Sequence, residues 1–250
     1  MTVRNPSQGH AQSGVTLIEL LIAVTLLGLL SVGIVISLRV ALSAMNKADE
    51  KLMANRREAG AQRILEEQIA GLMPVVADCR ANSESPTGRI SFFQGEAQSL
   101  RFVSTFSLQE ASRGLPTILE FQVIPGEKDR GVRLVVNEHV YTGPRGAGMF
   151  CTGMVSDPET GGTAPHFVPI EIGAGSFVLA DKLAYCHFSF RDVLPTPEPP
   201  RWVAHWTKLT LPDAIRMETA PLDPDPSKVQ PLTLTIPVRV TRHPLDQYEN

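Results

Sequence analysis

The sequence predicts an α+β fold: one long N-terminal helix packed on a C-terminal, antiparallel, β-rich head. Three observations carry that prediction. A charge-free run of nineteen residues, Leu20–Leu38, lies between Glu19 and Arg39. Behind it, apolar residues recur at helical spacing as far as Pro74. After Pro74 the apolar period drops to two, in short segments separated by proline and glycine. A chain of 250 residues is long enough for a sizeable core in one or two domains. Its net charge of −3, with no basic run longer than Arg56-Arg57, carries no nucleic-acid footprint.

At about 1.5 Å per residue, Leu20–Leu38 spans the hydrocarbon core of a bilayer. A helix buried in a soluble core rarely stays apolar on every face for so long. A cleaved secretory signal has a shorter apolar region followed by small residues, whereas here Arg39 precedes the small cluster Ala41–Ala44. A lipoprotein signal would need a cysteine at the head of the segment, and none is there. A plain membrane anchor explains the hydrophobicity. It leaves unexplained Glu19, whose burial in hydrocarbon costs several kcal/mol unless paired or neutralised. It also leaves the leader, residues 1–14, which is polar, carries Arg4 and no acid, and ends in Gly14.

Leader and apolar run together, "SGVTLIELLIAVTLLGLLSVGIV", resemble the class III signal of type IV prepilins and type II secretion pseudopilins. The match covers Gly14, Thr16, Leu17, Ile18, Glu19, Leu20 and Leu21. Val15 stands where that family usually has Phe, and Ser13 where a basic residue is frequent. The resemblance implies a pilin-like fold and cleavage between Gly14 and Val15 by a prepilin peptidase, with methylation of the new Val15 amine. It implies that Glu19 sets assembly register by meeting the N-terminal amine of a neighbouring subunit. The charge of the short leader independently predicts a cytoplasmic leader, with the body translocated to the periplasmic side of an inner membrane.

The helix pattern continues through Leu38, Leu42, Met45 and Leu52, then Ile64, Leu65, Ile69 and Leu72. Pro74 is the stop signal. The expected organisation is therefore a leader at 1–14, a transmembrane half-helix at 15–38, an amphipathic half-helix at 39–73 and a head at 74–250. Within the head, 99–107, 117–124, 131–140, 182–192 and 232–241 read as strands, the last an edge or bulged strand because of Pro237. Along 182–192, Leu183, Tyr185, His187 and Ser189 share one face; Ala184, Cys186, Phe188 and Phe190 share the other. Segments 80–88, 143–165 and 193–200 read as loops, and "GAGSF" at 173–177 as a hairpin turn.

"YCHFSFRD", a proline-rich loop, Trp202, Trp206 and "LPDAIRME" resemble the C-terminal pattern of pseudopilin J of the general secretion pathway. That resemblance implies a minor pseudopilin of the tip complex. Its implied partners are other pseudopilins, the inner-membrane assembly platform, membrane lipid and secreted substrates. A minor pilin of a type IV pilus or competence system fits the same N-terminus. So does a signal-anchored periplasmic binding protein that never polymerises.

Chemistry is sparse. No nucleotide fingerprint, nucleophile elbow or metal-spaced histidine pair occurs. Neither catalysis nor a cofactor is expected. Asp223 and Asp225 have calcium-loop spacing but lack the following Gly and bidentate Glu, so no metal is assigned there. Cys79, Cys151 and Cys186 allow one disulfide outside the cytoplasm, and the sequence does not choose the pair. Trp202 and Trp206 are candidates for a contact surface, or for sealing the head against the helix.

Overall fold

The computed structural model describes residues 15–79, 88–108, 112–156, 163–193, 199–222 and 231–240. The chain divides into two compact units, Met1–Leu52 and Met53–Asn250. Helix α1 is assigned over Leu17–Ala70. In the first unit it carries an exposed apolar surface, with a mean hydropathy of 2.6 and none of its most apolar stretch buried. Three of its hydroxyls are satisfied within the helix: Thr25, Ser31 and Ser43 donate to the carbonyls of Ile22, Leu27 and Val40.

In the second unit α1 ends three residues earlier than Pro74 implies. The Gly71 N–H makes the last helical bond, to the Glu67 carbonyl at 2.9 Å, and the Gly71 carbonyl then accepts from Thr105 N–H. A Cβ at Gly71 would stand 2.7 Å from Ser104 Oγ, so only glycine brings the backbone this close to the sheet. Leu72 and Met73 are consequently strand, not helix, and pair with Ser104 and Val103.

The strands follow as β1 (Leu72–Met73), β2 (Val76–Cys79), β3 (Gly88–Ser91), β4 (Gln94–Gly95), β5 (Ser99–Ser107), β6 (Ser112–Pro125) and β7 (Val132–Val140). A short helix α2 (Pro144–Gly148) precedes β8 (Cys151–Ser156), β9 (Thr163–Phe167), β10 (Phe177–Asp192), β11 (Arg201–Val203), β12 (Ala214–Pro221) and β13 (Leu232–Pro237). Among the described residues the main sheet runs β1-β5-β6-β7-β10-β12-β13, with β4 beside β5 and β11 beside β10. All its pairings are antiparallel. β2-β3 and β8-β9 form two separate hairpin sheets. Strand β13 closes one end of the main sheet, consistent with its terminal Pro237.

Alternation in each strand sends side chains to two cores. Leu100, Phe102, Leu119, Phe121, Leu134 and Val136 join Leu65 and Ile69 of α1 in the larger one. Val103 and Ile118, of opposite parity, join Val75, Ile90, Phe92, Cys151 and Phe167 in the smaller one. Two expectations need correction here. The stretch 143–165 is not simply loop, because α2, β8 and most of β9 fall within it and pack over the smaller core. "GAGSF" does form a turn, with Ser176 N–H bonded to the Gly173 carbonyl, but β9 and β10 on either side belong to different sheets. It is not a hairpin.

β10 alternates as expected from Tyr185 onward, with Cys186, Phe188 and Phe190 buried. Leu183 departs, being buried although it shares parity with Tyr185. Register with β12 shifts between Leu183 and Tyr185, and Lys182 takes a φ of +56°. A bulge thus returns Leu183 to the core side.

Candidate functional site

At the N-terminus, Val15 and Glu19 are exposed, while Gly14, Arg4 and Ser13 lie outside the described residues. The amides of Glu19 and Leu20 both donate to the Thr16 carbonyl, at 3.1 and 3.2 Å, which opens α1 at that point. Glu19 therefore sits in the first turn, where the helix dipole favours a carboxylate. Val15, Glu19, Ala23 and Leu27, at four-residue intervals, line one shallow groove on the helix. In a low-dielectric bundle that carboxylate requires a cation beside it.

The cysteines resolve into a disulfide, Cys79–Cys151, and a buried free thiol, Cys186. The bridge ties β2 to β8 across 72 residues of sequence. Its backbones meet closely, because a Cβ on Gly148 of α2 would stand 2.1 Å from the Asp78 carbonyl. Burial pushes the Cys186 thiol up to about 12, which makes it unreactive at neutral pH.

A polar row on the smaller-core face had no counterpart among the sequence expectations. Gln94, Arg101, Glu120 and Asn137 are successive cross-strand partners on β4, β5, β6 and β7. Arg101, 0% exposed, donates from Nε to Glu120 Oε1 at 2.7 Å, from Nη1 to Gln94 Oε1 at 2.6 Å and from Nη2 to the Val168 carbonyl at 3.0 Å. Its guanidinium also lies over the rings of Phe150 and Phe167, at 5.3 and 5.6 Å. Asn137 donates to Glu120 Oε2 and to the Glu171 carbonyl, and accepts from Ser176 Oγ at 2.5 Å. His139 Nε2 stands 3.1 Å from Glu120 Oε2. Desolvation pulls the Arg101 guanidinium below its usual value, against the upward pull of Glu120. The row fastens the 168–176 segment onto the sheet and is a structural clamp. The available signal was an arginine and a glutamate each flanked by large apolar residues in mid-strand, Leu100 and Phe102 in β5, Leu119 and Phe121 in β6.

The two tryptophans separate. Trp206 is buried in the larger core, donating from Nε1 to the Thr210 carbonyl at 2.6 Å and from its amide to Gly95. It seals the head and offers no contact surface. Trp202 is half-buried, with the Arg216 guanidinium 3.7 Å above its ring. His187 is exposed and stacked on Tyr185. Asp223 and Asp225 lie outside the described residues, among which no group of three or more His, Cys, Asp or Glu side chains forms a metal site.

No curated protein matches the chain. Residues 9–35, a window that contains Gly14, Val15, Glu19 and the first turns of α1, match the family model described as the prokaryotic N-terminal methylation motif. That match covers the N-terminal segment alone and supports a pilin-like N-terminus, and the apolar helix behind it fits a single-pass membrane anchor.

Proposed function

We propose that the chain is a minor pseudopilin, a non-enzymatic structural subunit of the tip complex of a type II secretion pseudopilus. A prepilin peptidase removes residues 1–14 and methylates the Val15 amine. The mature subunit waits in the inner membrane, with its head in the periplasm, for the assembly platform to extract it. Glu19 then meets the amine of a neighbouring subunit, and that pairing sets the axial step. The observation that carries this reading is the methylation motif, which contains an exposed first-turn carboxylate, Glu19. The Cys79–Cys151 disulfide supports an oxidising compartment for the head. The J-type assignment draws on "YCHFSFRD" and "LPDAIRME", which lie largely on the neighbouring strands β10 and β12.

The test is the N-terminal mass of the chain expressed with and without a prepilin peptidase. The expected product begins at Val15 and carries one added methyl group. An unchanged mass, or a cut near Ala44, refutes the proposal. Deleting the gene separates the two machines: loss of protein secretion with pilus function intact is the expected outcome.

A further inference from the structure

Among the described residues, the sheet face opposite the larger core is exposed or half-buried at β10, β11 and β12. Tyr185, His187, Ser189 and Arg191 project from β10 on this side, opposite in parity to buried Cys186, Phe188 and Phe190. Trp202 is the cross-strand partner of Arg191, and Arg216 that of Ser189. Because serine is short, the Arg216 side chain can lie across β10 and reach Trp202 diagonally. The result is a surface of two stacked rings, Tyr185 and His187, with Glu218 opposite His187 and a cation held against an indole face beside them.

Arg216 has no carboxylate partner among the described residues, unlike most arginines of the head. Among the described residues, Arg63, Arg89, Arg101, Arg133, Arg191 and Arg201 each face a carboxylate. Arg216 is half-buried, its Nε is sealed from water without a hydrogen-bond partner, and its one described contact is the Trp202 ring. A guanidinium that is partly desolvated, preorganised by stacking and without a counter-ion among the described residues binds a carboxylate at small entropic cost. Arginine, tryptophan and tyrosine are also the residues that dominate the energetics of protein interfaces.

We propose that this face docks a segment of another protein that presents a carboxylate side chain to Arg216, with flanking residues lying against Trp202, Tyr185 and His187. The docking goes beyond assembly through α1, since it uses only residues of the head.

The experiment uses the full chain in uncharged detergent micelles and the probe peptide acetyl-Thr-Val-Glu-Val-Thr-amide, with its Gln counterpart as control. The chain has two tryptophans, one of them buried in the core, so Trp202 emission reports occupancy of the site. The expected result is a saturable change in that emission, with roughly ten-fold tighter binding of the Glu peptide than of the Gln peptide. Arg216→Gln should erase the preference. Arg216→Lys, which keeps the charge and the fold but not the planar stack, should weaken it. Trp202→Phe should remove the signal. Equal binding of the two peptides, absence of binding, or an unchanged preference in Arg216→Gln overturns the proposal. So does phosphatidylglycerol-vesicle binding that depends on Arg216 without any peptide preference, which would make the surface a lipid site.

Discussion

Reduction of Cys79–Cys151 is the perturbation with the most predictable size. The bridge closes a 72-residue stretch of chain. In the chain-entropy description that closure removes enough freedom from the unfolded state to stabilise the head by about 4 kcal/mol. For a domain of this length each kcal/mol moves the melting point by about 2–4 °C, so reduction should lower Tm by about 10 °C. The native side changes little, since both sulfurs lie in a core shared with Val75, Phe92 and Phe167 and α2 already abuts β2. The assay is a circular-dichroism melt of the full chain in detergent, with and without reductant, repeated on Cys79→Ser and Cys186→Ser. Cys79→Ser should melt like the reduced chain, and Cys186→Ser should keep the full redox sensitivity. A reduced chain melting within about 2 °C of the oxidised one would refute the reasoning.

Three more outcomes are expected. Glu120→Ala leaves Arg101 buried and unpaired and should cost about 3–5 kcal/mol in urea unfolding, whereas the double change Arg101→Met, Glu120→Leu should recover most of that. Full cost in the double variant would mean that the clamp, not the charge balance, matters. Cys186, its thiol raised to about 12 by burial, should resist alkylation at pH 8 in the folded chain and react once urea unfolds it. Labelling before the unfolding transition would contradict its placement in the core. Glu19→Ala should abolish filament assembly while leaving the head's melting curve unchanged; filaments of normal yield would remove Glu19 from the assembly joint.

What could be read from the sequence was local periodicity, and what escaped was the identity of each element's neighbour. β5 was legible to its ends because Leu100, Phe102 and Val103 fill both faces of a strand buried on each side. β7 was legible for the same reason, and β10 through its one-sided alternation from Tyr185 onward, which Lys182 and the adjoining bulge interrupt. α2, β8 and β9 carry Gly, Pro and Thr and hold their place through the disulfide and a close glycine approach, both contacts across long stretches of chain. The helix end shows the same limit. Pro74 was a visible stop, but Ser104 and Thr105, thirty residues away, are what make Gly71 the true one.

The tryptophans make the point most sharply, since they are chemically identical and four residues apart. Trp206 meets Gly95, whose missing side chain leaves room for the Phe190 ring and whose carbonyl takes the Trp206 amide. It is thereby committed to the core. Trp202 is placed by β11 pairing at the far end of β10, on the parity that faces out. No periodicity within 201–206 distinguishes these fates; register against β4 and β10 does. The same register sets Arg216 opposite Ser189 instead of opposite a carboxylate. A guanidinium on an indole, with no carboxylate partner among the described residues, is therefore a product of strand alignment, and shifting β12 by two residues would place Glu218 where Arg216 stands and reverse the charge that the surface offers a partner.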